Sequence, residues 1–172
     1  MSAHSPSVVL IMGVTSSGKS TVGEGLAERL GWIFRDADSF HPPENVAKMS
    51  SGQPLDDEDR KPWLQAIARF IDEAEAQNNP AVVTCSALKR IYREVIVGSR
   101  DHVELVHLVG DKQLIAERMA ARKNHFMPTT LLDSQFATLE APQDDEKPFR
   151  VPIDQEPSAI IQTIIDGLKL SR

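Results

Sequence analysis

The sequence predicts an α/β domain built on a parallel sheet, and three observations predict it. Apolar, β-branched runs alternate along the chain with amphipathic segments of helical period. A glycine-rich loop joins the first apolar run to the first amphipathic segment. The chain has 172 residues, 41% of them hydrophobic and 26% charged, which suits one domain, residues 1–172, with a substantial core.

The elements follow in order. Val8–Met12 is continuously apolar and bounded by Pro6-Ser7, so it reads as a short buried strand. Gly13-Val14-Thr15-Ser16-Ser17-Gly18-Lys19-Ser20 then matches the phosphate-binding pattern GxxxxGK[ST]. Val22, Leu26 and Leu30 lie four apart and Gly31 is a stop, which predicts a helix. Ile33–Asp36 is the second strand, 81–85 the third, Val103–Val109 the fourth and 149–153 a weaker fifth, with Pro152 marking it as an edge. Trp63, Leu64, Ile67, Phe70, Ile71 and Ala74 form one helical stripe, and Ile160, Ile161, Ile164, Ile165 and Leu168 another. Both stripes, Trp63 included, read as plain core, as do Ile115 and Met119. Residues 39–60 and 123–147 interrupt the alternation with prolines and polar residues. Insertions of that length are usually binding loops or lids.

The net charge is −6, which argues against a nucleic-acid partner. No apolar run approaches the roughly 18 residues of a membrane span. Residues 1–6 have neither a positive start nor a long apolar stretch, and Cys85 is the single cysteine, so a cytoplasmic protein without a signal peptide is expected.

The glycine loop carries the first chemistry. Gly13 and Gly18 let the backbone turn tightly, and the N–H groups of residues 13–21, Thr21 included, are directed at an anion beside a helix N-terminus. Lys19 is expected at the β- and γ-phosphates of a nucleotide, and the Ser20 hydroxyl at Mg²⁺. Asp36 and Asp38 follow the second strand, where open parallel sheets bind ligands. By position Asp36 belongs to the metal shell, and Asp38 would align an attacking hydroxyl and accept its proton. No aspartate ends the third strand, which strengthens Asp36 for the metal. Lys89 and Arg93 are four apart on the next predicted helix, and either reach an anionic substrate or form a solvated basic face. Arg118 and Arg122 pose the same choice, with guanidinium groups suited to stacking on a base or gripping phosphate. His107, inside an apolar strand, reads as structural.

Together these residues resemble the gluconokinase family of P-loop small-molecule kinases, relatives in fold of shikimate and adenylate kinases. The likeness runs from residue 8 to residue 165. It rests on the glycine loop, Asp36-Ala37-Asp38, His41-Pro42, Asn45, Lys48-Met49, Gly52, Pro54-Leu55 and Asp59-Arg60-Lys61-Pro62-Trp63-Leu64. Cys85-Ser86-Ala87-Leu88-Lys89, Tyr92-Arg93, Arg122-Lys123, His125-Phe126 and the Gln135-Phe136…Thr138-Leu139-Glu140 run continue it. The resemblance implies a five-stranded parallel sheet, a mobile lid over about 123–147 and a substrate segment over about 39–60. It implies ATP- and Mg²⁺-dependent phosphorylation of D-gluconate on its 6-hydroxyl, by a homodimer. It implies substrate contacts from Asp38, His41, Arg60, Lys89, Arg93 and His125, adenine stacking by Arg118 and phosphate contact by Arg122. Relatives often carry Asp-Gly-Asp where this chain has Asp36-Ala37-Asp38, a difference of one methyl group.

Overall fold

The computed structural model describes residues 7–121 and 129–171. Five strands form one sheet: β1 (Val8–Met12), β2 (Ile33–Asp36), β3 (Ala81–Thr84), β4 (Val103–Val109) and β5 (Phe149–Pro152). Their order is β2-β3-β1-β4-β5 and every pairing is parallel. The strand expectations hold to within a residue at each end. Pro152, which cannot donate to a ladder, closes the edge strand.

Among the described residues seven helices flank the sheet: α1 (Lys19–Leu30), α2 (Pro43–Ser50), α3 (Asp57–Ala76), α4 (Arg90–Ile96), α5 (Lys112–Ala121), α6 (Thr129–Thr138) and α7 (Pro157–Leu168). Both faces of the sheet are covered, because successive β1 side chains point to opposite sides. Val9 and Ile11 pack with α1, α5 and α7, while Val8, Leu10 and Met12 pack with α3 and α4. All five β1 residues are completely buried, which is why the sequence shows an unbroken apolar run instead of an alternating one.

The two insertions are more regular than the sequence suggests. Residues 39–60 hold α2, which starts on Pro43 where a missing N–H costs nothing, and the first turn of α3. Asp56 and Asp59 close a reciprocal capping box at the start of α3. Residues 123–147 hold α6 and a 3₁₀ turn, Asp144–Glu146. Register aligns the carboxyl ends of the strands, with Asp36 opposite Thr84 and Met12 opposite His107. The loops after β1, β2 and β3 therefore open on one edge.

Truncating the central strand tests this core. Leu10→Ala should lower unfolding free energy by about 2–5 kcal/mol in urea titration. Ile91→Ala, at a site 51% exposed, should change it by less than about 0.5 kcal/mol.

Candidate active site

The glycine loop is shaped by backbone constraints its residues can meet. Gly18, the N-cap of α1, has φ 95°, a left-handed conformation that glycine adopts freely. A Cβ on Gly13 would lie 2.7 Å from Ser17 Oγ and 3.3 Å from the Leu108 carbonyl oxygen, so the loop could not close on the strand ends. Gly13, Val14 and Ser17 form the buried side of the loop. Thr15, Ser16, Gly18, Lys19, Ser20 and Thr21 line an open cleft of about 830 Å³. Lys19 Nζ donates to the Gly13 and Val14 carbonyls at 2.9 and 3.0 Å, which holds its charge over the loop. The Thr15 N–H donates to Gln135 Oε1 of α6 at 2.5 Å, so the insertion expected to be the lid touches the loop.

Asp36 and Asp38 line the same cleft. Asp36 caps the 3₁₀ turn that follows β2, its Oδ1 accepting the Asp38 main-chain N–H at 2.9 Å. Burial, and then the neighbouring Asp36 charge, push the Asp38 carboxyl above its ordinary value, while His41 and Lys19 act in the opposite direction. Ser20 presents a hydroxyl from the first turn of α1, and Thr84, the register partner of Asp36, has a buried Oγ1 with no partner among the described residues. This donor set fits Mg²⁺, which keeps several waters and takes one or two protein oxygens plus phosphates. Ser20 and Asp36 would hold it.

The far wall comes from α2, α3 and α4. His41 stacks on Trp63, ring centroids 4.5 Å apart and planes 11° from parallel. The Trp63 indole N–H donates to the Ala37 carbonyl at 2.7 Å, fixing the turn that carries Asp38. Arg60 lines the cleft and donates to the Tyr92 hydroxyl at 3.0 Å. That hydroxyl donates in turn to Asp57 Oδ1 at 2.7 Å. Cys85 lines the cleft too, but burial pushes its thiol up to about 12, so it is no nucleophile.

Several expected site residues lie elsewhere. Lys89 is paired with Asp57 at 3.2 Å and does not line the cleft. Arg93 is 2% exposed and turned into the protein. Its guanidinium donates to the Ala87, Leu88 and Glu140 carbonyls and forms an ion pair with Glu146 at 2.6 Å. Burial works against the Glu146 charge, yet hydrogen bonds from Arg93 and the Gln143 main chain hold its carboxyl below the usual range. The assumed helix face fails because α4 begins at Arg90: Lys89 is its extended N-cap, with φ −100° and ψ 144°. Arg118 donates to the Ile153 carbonyl beyond β5 and also stays outside the cleft wall. Arg122 and His125 lie outside the described residues.

Other residues gain roles that the sequence reading missed. Trp63, read as plain core, supports His41 and Asp38. Tyr92, Thr84, Asn45 and Gln135 carry no role in that reading, and only their place in the resemblance could have marked three of them.

A strand, glycine loop and helix at the carboxyl edge of a five-stranded parallel sheet, facing a carboxylate across an open cleft, define a P-loop kinase fold and site. The family model described as shikimate kinase matches residues 15–166. The chain is 47% identical to the gluconokinase of Gluconobacter oxydans, over 93% of this chain and 90% of that protein. A solved gluconokinase from Sinorhizobium meliloti superposes with TM-score 0.84 at 42% identity, over 97% of this chain and 94% of the other. A sugar kinase from a Janibacter species gives TM-score 0.85 at 43% identity, over 95% of both chains. The chain belongs to the shikimate-kinase group of P-loop kinases and, within it, to the gluconokinase family.

The Arg93 finding is testable. Arg93→Ala strands the Glu146 charge and three carbonyls, and should cost about 3–5 kcal/mol of stability in thermal or urea unfolding. Unchanged stability with a raised KM for a sugar acid would return Arg93 to the binding site.

Proposed function

We propose that this protein transfers the γ-phosphoryl group of ATP to the 6-hydroxyl of D-gluconate, giving 6-phospho-D-gluconate and ADP. The observation that carries the reading is the placement of Asp38 on the same cleft as the phosphate-binding loop. The cationic Arg60 and the imidazole of His41 share that cleft, and family membership supplies the acceptor.

In-line phosphoryl transfer asks a protein to position two reactants and to neutralise charge on the moving group. The loop's main-chain N–H groups and Lys19 hold the nucleotide's phosphates, joined by Arg122. Ser20 and Asp36 would hold Mg²⁺, which would supply further positive charge to the phosphates. Asp38 aligns the alcohol by accepting its hydrogen bond and takes the proton as the O–P bond forms. The raised pKa makes it a better base than a fully solvated aspartate. Arg60 supplies a fixed cation for the substrate carboxylate, and closure of the 123–147 lid excludes water that would hydrolyse ATP. The same reading takes the enzyme to be a cytoplasmic homodimer that binds neither nucleic acid nor membranes. Among the described residues no helix is long and apolar enough to cross a membrane.

The test is turnover with ATP and Mg²⁺ over a panel of D-gluconate, other sugar acids, shikimate and nucleoside monophosphates, with the product identified by ³¹P NMR. Gluconate is expected to be the preferred acceptor, and preference for shikimate or a nucleotide would replace this reading with a related kinase. Asp38→Asn should lower kcat for gluconate by at least ~10²-fold, and near-normal turnover would remove Asp38 from its role.

A further inference from the structure

The side chain of Asn45, in α2, is almost completely buried, at 4% exposure. Its Nδ2 lies 2.8 Å from the main-chain carbonyl oxygen of Asp59 and 3.2 Å from Nδ1 of His41. A carbonyl oxygen only accepts, so the nitrogen end of the amide must face Asp59. The two hydrogens of that nitrogen then serve two acceptors, and one of these is His41 Nδ1. A nitrogen that accepts carries no proton, so the proton of the neutral ring resides on Nε2. Stacking on Trp63 holds the plane of the ring, and the bond from Asn45 selects its orientation within that plane. Nδ1 is engaged by a buried residue, and the opposite side of the ring, with Nε2, is the side left to the cleft that His41 lines.

We propose that Asn45 is a positioning residue that locks His41 in the Nε2–H form, so that the cleft offers the substrate a neutral, single-hydrogen donor beside the cation of Arg60. An imidazolium would place Nδ1–H against the Asn45 NH₂, donor against donor. The charged groups facing the ring are Asp38 from the 3₁₀ turn and Arg60 from α3. Lys48 of α2 is engaged by Asp59 at 2.6 Å. Burial lowers the His41 pKa, Asp38 raises it and Arg60 lowers it, with a net fall, in keeping with a ring held neutral. The division of labour follows from chemistry: Arg60 suits a carboxylate, whereas an uncharged N–H donor suits a hydroxyl oxygen of a polyol chain. This inference rests on the reading that a sugar acid occupies the cleft, and it assigns His41 to hydroxyl recognition instead of charge recognition.

Three measurements test it. Long-range ¹⁵N–¹H NMR of the imidazoles in the unliganded protein, with the His41 signals identified by their loss in His41→Gln, should show Nε2 protonated and Nδ1 bare at neutral pH. A protonated Nδ1 overturns the proposal. His41→Gln places an amide N–H near the Nε2 position and, although it loses the stacking on Trp63, should raise KM for gluconate much less than His41→Asn does. His41→Asn reaches only the Nδ1 position and should raise that KM about tenfold, the scale of one lost hydrogen bond, with KM for ATP unaffected. Equal behaviour of the two variants overturns the proposal. Asn45→Asp replaces the donor by a carboxylate that binds Nδ1–H, so the neutral ring would turn a bare Nε2 to the cleft and only the imidazolium would donate there. In that variant KM for gluconate should rise as pH rises through the imidazole range, which the wild type should not show. A folded Asn45→Asp with a wild-type pH profile overturns the proposal, and if it fails to fold the NMR and the His41 pair decide. Absence of any gluconate turnover by the wild type would instead remove the proposed function, while the NMR result on the tautomer would stand.

Discussion

The geometry of the cleft depends on one buried hydrogen bond, from the Trp63 indole N–H to the Ala37 carbonyl at 2.7 Å. Ala37 and Asp38 open a short 3₁₀ turn capped by Asp36, and such turns hold themselves weakly. The bond ties this turn to α3, the longest helix among the described residues, which is packed into the core through Ile67, Ile71 and Ala74 on the same stripe as Trp63. The same indole carries the His41 ring. One side chain therefore sets the position of the carboxylate and of the imidazole relative to the sheet. An aromatic residue with a polar handle can do both, because its face packs while its N–H finds a partner.

Charge is distributed with similar economy. The chain is acidic overall, yet Lys19 and Arg60 place positive charge on the cleft wall. Arg90 and Arg93 face the other way and bind the chain segment after α6 to α4. Arg90 is paired with Asp145, and Arg93 with Glu146 and the Glu140 carbonyl. The far end of the second insertion is thereby anchored to the body of the protein, whereas α6 reaches the glycine loop through Gln135. Like charges thus serve different purposes, cleft electrostatics for Lys19 and Arg60 and tertiary fixation for Arg90 and Arg93.

The sheet was legible because β1 and β3 are buried throughout and so read as unbroken apolar runs, and because GxxxxGK[ST] specifies its own strand–loop–helix context. Asp36 and Asp38 were legible for the same reason, since the end of a parallel strand beside that loop is a ligand position. What was not legible depended on where helices begin. Lys89 and Arg93 share a helix face only if the helix includes Lys89, but Lys89 is the N-cap, and Arg93 is held inward by three carbonyls and Glu146, which helical spacing does not announce. The helix α2 was hidden by its short length and by prolines that looked like loop residues, although Pro43 is in fact its first residue. The role of Trp63 was masked because an apolar stripe says which side chains are buried but not what lies against them. Asn45 gave no local signal at all: its importance comes from a carbonyl 14 residues away in sequence.

Cys85 has a consequence of another kind. It is the chain's only thiol, it stands where β3 meets the cleft, and it is 4% exposed, with its main-chain N–H bonded to the Ile11 carbonyl at 3.0 Å. A maleimide or disulfide label can react there only during excursions that loosen the packing around the end of β3. The unmodified polypeptide consequently contains its own reporter for breathing at that end of the strand, with no engineered handle and no competing site elsewhere.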